Sequence, residues 1–121
     1  MAAISLCMIV RNEERVLARC LESVRPIVDE IVVVDTGSAD ATRAVAAQYG
    51  RVLDFPWSDD FSAARNFAFA QGTCDYLLWL DADDVIPPDQ VPAFLELKEG
   101  LDGSVDLVML PYRAALGPRG G

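Results

Sequence analysis

A chain of 121 residues, 52% hydrophobic and 24% charged, is long enough for one domain with a buried core and too apolar to be disordered. Its 19 acidic against 10 basic residues, a formal charge of -9, argue against general nucleic-acid affinity, because phosphate backbones are held by clustered Lys and Arg. The absence of histidine removes Ser-His-Asp and Cys-His catalysis and any His-ligated zinc site.

Ala3 to Val10 is a continuous apolar run, as expected of a strand buried on both faces of a parallel sheet. It ends at Arg11-Asn12-Glu13-Glu14, after which Val16, Leu17, Cys20, Leu21 and Val24 follow helical spacing until Pro26. A second strand, Glu30 to Val34, ends in Asp35-Thr36-Gly37-Ser38. Gly37 permits a tight turn, and Ser38 or Asp40 can cap a helix that runs to Gly50. Arg51 to Phe55 reads as a short third strand. Phe61 to Gln71 reads as an alanine-rich helix, with Asp59 or Asp60 favoured at its positive end. Cys74 to Leu80 is a fourth strand, a helix runs from Asp89 or Gln90 to Lys98, and Val105 to Leu110 is a fifth strand. Strands alternating with helices define an α/β domain, a Rossmann-like, largely parallel sheet with flanking helices.

Cys7, Cys20 and Cys74 are widely spaced, with no C-x-x-C, and read as buried free thiols in a reducing compartment. No run approaches the roughly 18 apolar residues of a membrane span, and no basic region precedes the first apolar run, so the expected location is the cytoplasm.

The fourth strand breaks out into Asp81-Ala82-Asp83-Asp84, closed by Pro87-Pro88. Three carboxylates in four positions suit a hard divalent cation, Mn2+ or Mg2+, which takes oxygen ligands and keeps waters and substrate phosphates as the rest of its shell. In parallel α/β sheets the strand-to-helix connections share the carboxyl edge, where ligands bind near the reversal of strand order. Arg11 to Glu13, Asp35 to Ser38 and Asp81 to Asp84 therefore converge. Their mutual repulsion predicts thermal stabilisation by a divalent metal.

Four segments in this order, Ser5 to Glu14 (SLCMIVRNEE), Ile31 to Thr42 (IVVVDTGSADAT), Asp60 to Asn66 (DFSAARN) and Leu80 to Asp84 (LDADD), resemble the GT-A fold, nucleotide-sugar-dependent glycosyltransferases of the large inverting family 2. The resemblance implies a nucleotide-sugar-binding subdomain over residues 1–112, with 113–121 a loop or truncated tail. It implies that Asn12 and Glu13 lie against the nucleoside and that Asp35 hydrogen-bonds the base, commonly uracil. Arg65, with Asn66 beside it, reaches toward the nucleotide. Asp81 contacts the ribose or a metal-bound water, and Asp83 coordinates the Mn2+ or Mg2+ that bridges the diphosphate. The implied donor is a nucleotide-diphosphate sugar, a UDP-sugar first of all, and the acceptor stays unnamed. In such enzymes the catalytic base lies further along the chain, beyond Gly121 here. The 121 residues thus look like the nucleotide-binding half of a longer enzyme, inactive alone, whose apolar surface around Val105 to Tyr112 would drive self-association.

Plainer readings stand beside these. Asp81 and Asp83 can form a solvated turn that Asp84 supports by hydrogen bonding, Asp35 can hold the Gly37 turn, and Glu13 can be a first-turn acid. Arg65 can pair with Asp59 or Asp60, and both tryptophans, Trp57 and Trp79, read as core, with lining of the site the alternative for Trp57. The rival functions are a haloacid-dehalogenase-like phosphotransfer domain and a non-catalytic nucleotide-binding or scaffold domain. A dinucleotide-binding domain fails, since no G-x-G-x-x-G follows the first strand.

Overall fold

A computed structural model of the chain describes residues 3–57 and 60–100, together with the backbone of 108–109 and 115–118. In chain order its elements are β1 (Ile4–Val10), α1 (Leu17–Val24), β2 (Glu30–Asp35), α2 (Thr42–Ala47), β3 (Arg51–Asp54), α3 (Phe61–Gln71), β4 (Tyr76–Trp79), a 3-10 turn (Pro88–Gln90), α4 (Val91–Glu99), β5 (Val108–Met109) and β6 (Ala115–Pro118). They form one sheet in the order β3-β2-β1-β4-β6-β5. The first four strands in that order are parallel, while β6 is antiparallel to both β4 and β5.

The unbroken apolar run of β1 follows from its central place. Ile4, Leu6, Met8 and Val10 face the larger core, with Leu17, Cys20, Leu21 and Val24 of α1, Ala46 of α2 and Phe94 of α4. Cys7 faces the opposite layer with Val32, Val34 and Leu77, under Ala68 and the partly buried Phe67 and Phe69 of α3. Period-two alternation thus sends β1 to both layers, and no position on it can be polar without a partner. Its Ser5 meets that condition by donating to Glu30 Oε1 at 2.7 Å.

The differences from the sequence reading are local. Ala115–Pro118, expected to be loop, pairs along β4, with Tyr76 opposite Pro118 and Trp79 opposite Ala115. Gly117 and Pro118 argue for a loop by propensity, but the unpaired backbone groups along β4 supply a ladder that overrides propensity. Of the expected strand Val105 to Leu110, only Val108–Met109 falls on described residues, and most of the apolar stretch to Tyr112 lies outside them. Strand β4 is shorter than Cys74 to Leu80. Cys74 is half-buried, whereas Cys7 and Cys20 are buried; all three are free thiols. No helix among the described residues is long and apolar enough to cross a membrane.

Gly50, at the turn into β3, is required for a steric reason. A Cβ there would lie 2.3 Å from the carbonyl oxygen and 2.8 Å from the Cβ of Ile31, on the backbone of β2. At Gly72 the nearest atom, 2.6 Å away, is the tip of the Leu77 side chain, which can rotate aside. Gly50→Ala should therefore cost about 2 kcal/mol or more by overpacking, and Gly72→Ala clearly less. Urea denaturation of both variants checks this, and equal losses would contradict it.

Candidate functional site

Strand order reverses between β1 and β4, since β2 and β3 lie to one side of β1 and β4 to the other. Asp35 stands level with Val10 on β1 and with Asp54 on β3, and Trp79 is level with Cys7. The turn that begins at Asp81, two residues past Trp79, thus opens at the same carboxyl edge as Asp35. The two lie two strand spacings apart, about 10 Å.

The first two loops are clasped together. Asn12, in the left-handed region at φ 54°, donates its amide to Ser38 Oγ at 2.9 Å, and its Oδ1 accepts from the Ala39 amide at 2.7 Å. The Glu13 amide donates to Thr42 Oγ1 at 2.8 Å, and Glu14 Oε2 accepts from the Ala41 amide at 3.2 Å. Asparagine is among the few side chains that enter the left-handed region readily, so the residue type matches the backbone here. Asn12 spends its side chain holding the β2–α2 loop, and Glu13 is half-buried beside it. Asp40 takes the Thr42 amide at 2.9 Å, so it and not Ser38 serves the start of α2.

Asp35 ends β2 with no exposed side-chain surface. Its Oδ1 accepts from the Gly37 and Ser38 amides, each at 2.8 Å, and Gly37 reaches that turn with φ 118°. Its Oδ2 is buried with no hydrogen-bond partner among the described residues. One oxygen holds the turn and the other is left over, so the plain reading accounts for half of the carboxylate. Asp35 lines a cleft of about 360 Å³ with Arg11, Thr36, Gly37, Arg43, Asp54, Pro56 and Trp57. Arg43 Nε lies 3.6 Å from Asp35 Oδ1, and its guanidinium also pairs with Asp54.

The acidic turn is built from β4 and α1. Asp84, buried, accepts the Asp81 amide on Oδ2 at 3.1 Å, and its own amide donates to the Asp81 carbonyl at 3.0 Å. The Ile86 amide donates to Ser23 Oγ at 3.0 Å, which ties the turn to α1. Asp84 is thus the turn's support, while Asp81 and Asp83 are exposed. One carboxylate oxygen from each of the three lies within 4.8 Å of the others. The donor set is all hard oxygen and opens to solvent, which fits Mg2+ or Mn2+ with waters and phosphates completing the shell.

Arg65 and Asn66 are exposed on α3. The Arg65 guanidinium lies across the rings of Phe69 and Trp79, 5.3 and 5.7 Å from their centroids, next to the end of β4 and not in the Asp35 cleft. Asp60 caps α3 through the Ala63 amide at 3.0 Å, and Asp59 lies outside the described residues. Trp79 is half-buried; of the two readings of Trp57, core and site lining, the second holds, since it is 41% exposed and lines the cleft. Arg43 was not legible as a site residue, since one arginine early in a short helix has no distinctive spacing. The signal for Trp57 was available: an aromatic just past a strand at the carboxyl edge.

Burial alone would push the Asp35 carboxyl up, but hydrogen bonds from Ser38 and Gly37 and the Arg43 guanidinium outweigh it and hold it below its ordinary 3.8. Glu30 and Asp29 behave alike: burial raises them, and bonds from Ser5 and Thr73, or from Lys98 and the Ile4 amide, bring them below 4.5 and 3.8. Lowered folded-state values contribute stability that is present above the unfolded values and is lost as pH falls through the folded ones. The melting temperature should thus be flat from about pH 7 to 5 and fall below about pH 4. A decline already under way at pH 6 would contradict this. Burial, followed by the charges of Asp84, Asp83 and Asp81, pushes the Cys20 thiol up to about 12, so it stays protonated at neutral pH.

Comparison with known proteins gives the family. The glycosyl transferase family 2 pattern matches residues 5–114, and the chain belongs to that family. It is 52% identical over 103 residues to a TPR repeat-containing protein of Synechococcus elongatus, covering 84% of this chain and 25% of that protein. It is 40% identical over 85 residues to an uncharacterized glycosyltransferase of Rickettsia felis, covering 69% and 30%, respectively. The chain spans about a quarter to a third of the length of these curated relatives. Among solved structures, glucosyl-3-phosphoglycerate synthase of Mycobacterium tuberculosis superposes with a TM-score of 0.74 at 21% identity, over 98% of this chain and 57% of that one, which shows a shared fold. A complex of the same synthase with Mn2+, UDP-glucose and phosphoglyceric acid gives 0.69 at 25% identity, over 88% and 42%. Against the haloacid-dehalogenase-like reading stand the family and the position of Lys98, the chain's one lysine. Its Nζ is bonded to Ile27 O and Asp29, near the start of β1 at the opposite edge of the sheet.

Proposed function

We propose that this chain is the nucleotide-binding part of a glycosyltransferase that takes a nucleotide-diphosphate sugar, a UDP-sugar first of all, and transfers the sugar with inversion to an acceptor. The observation that carries the reading is the juxtaposition at one sheet edge of a buried carboxylate oxygen without a partner, Asp35 Oδ2, and the Asp81-Asp83 pair at the strand-order reversal. Asp35 accepts an N–H of the base. Asp81 and Asp83 would hold Mn2+ or Mg2+ for the diphosphate, with Asp81 also on the ribose side, and Asp84 fixes the turn that presents them. When bound, the metal neutralises charge that develops on the departing diphosphate. Asn12 and Glu13 shape the nucleoside side of the cleft through the clasped loops, and Arg65 approaches the nucleotide from α3. The base that deprotonates the acceptor hydroxyl is assigned to no residue of this chain. The Mn2+ and UDP-sugar held by the mycobacterial synthase support the reading, and three free thiols support a cytoplasmic location.

Calorimetric titration of UDP, GDP and dTDP, with and without Mn2+, tests it. Metal-dependent binding of UDP is expected, with stabilisation of about 2.7 kcal/mol when the ligand reaches a hundred times its Kd. Calcium serves as the control in thermal scans. No binding and no shift at millimolar Mn2+ and UDP would remove the proposal.

A further inference from the structure

We propose that Arg43, triangulated between Asp35 and Asp54, is a further nucleobase-specificity residue, so that the cleft takes bases with an N–H beside a carbonyl and rejects bases with a ring-nitrogen acceptor at that place. The inference rests on the nucleotide-diphosphate reading above and names the class of base.

The cleft presents an ordered pattern of acceptor and donor. A carboxylate can only accept, and the Asp35 oxygen that remains after the Gly37 and Ser38 amides are served is buried without a partner. A guanidinium can only donate and has five N–H groups, of which the contacts with Asp35 and Asp54 use a part. Asp54 stands level with Asp35 on the neighbouring strand, so the two carboxylates fix the Arg43 head beside the Asp35 carboxylate, its Nε 3.6 Å from Oδ1, in the wall of the same cleft. A base edge that fits must therefore offer a donor to Asp35 and an acceptor to Arg43. The imide of uracil or thymine does so, and so does the N1–H and O6 edge of guanine. Cytosine and adenine put a ring-nitrogen lone pair against the carboxylate, and their amino side also puts an NH2 group against the guanidinium. Both polar groups of the site are then left unpaired, which is the situation that discriminates most strongly between ligands.

Arg43 is half exposed and its pair with Asp54 is exposed, so its variants should fold, with a modest loss of stability from the pair with the buried Asp35. With Mn2+ present, UDP and GDP are expected to bind the full chain at least about 100-fold more tightly than CDP and ADP. Arg43→Gln should weaken UDP about tenfold and leave CDP nearly unchanged, which narrows the UDP-to-CDP ratio by the same factor. Arg43→Lys keeps the charge without the planar fork and should recover part of that ratio. The thermal shift given by Mn2+ alone should match the parent for both variants. Equal weakening of UDP and CDP by Arg43→Gln, or no effect on either, overturns the specificity role while the nucleotide reading stands. If the parent binds none of the four diphosphates, the nucleotide reading itself fails and this inference falls with it.

Discussion

Asp35→Asn is expected to weaken UDP binding by at least about 100-fold while shifting stability by only about 1 kcal/mol. The asparagine oxygen can still accept from the Gly37 and Ser38 amides, both 2.8 Å from Oδ1, so the turn after β2 keeps its geometry. A flipped amide would point two hydrogens at those two N–H groups, which fixes the orientation. The NH2 group then replaces the buried, unpartnered Oδ2 and meets the base N–H donor to donor. Asp35→Ala removes both functions and should also loosen the turn, because two backbone amides lose their acceptor. The pair of variants separates holding the loop from reading the base. Binding of UDP that is unchanged in Asp35→Asn would mean that the carboxylate serves the turn alone.

The elements that sequence revealed most clearly are those in which local preference and tertiary demand agree. The run from Ile4 to Val10 is apolar at nearly every position because helices cover both faces of β1, and α3 matches its predicted bounds because Asp60 caps it and Gly72 follows it. The clustering of Asp81, Asp83 and Asp84, with Asp84 as the turn's support, was legible because short spacing alone brings these carboxylates together. Long-range complements were not legible. Arg43 belongs to the site through ion pairs with Asp35 and Asp54, 8 and 11 residues away, that only the β2–β3 register creates. The strand at Ala115–Pro118 arises from the unpaired edge of β4 and against its own glycine and proline. Asn12 lies in the loop after β1 as expected, but its side chain grips Ala39, a contact that no pattern within residues 11–14 encodes.

Asp83→Ala and Asp84→Ala should fail in opposite ways, although the residues are neighbours. Asp83 is exposed, so its removal leaves the core intact and takes an oxygen from the cluster that lies within 4.8 Å. Mn2+-dependent UDP binding should fall by at least about 100-fold, because the diphosphate then approaches an acidic turn with its cation poorly held. Asp84 is 4% exposed and accepts the Asp81 amide. Its loss leaves that amide without its partner and a small void behind it, which should cost about 1–3 kcal/mol of stability. Its effect on binding comes chiefly through the looser placement of Asp81. Chelation sharpens the contrast. EDTA should weaken UDP binding to the parent and to Asp84→Ala but add little to Asp83→Ala, since two ways of removing one interaction do not add. If EDTA weakens Asp83→Ala as much as the parent, the cation sits elsewhere and the acidic turn is only a solvated end of β4.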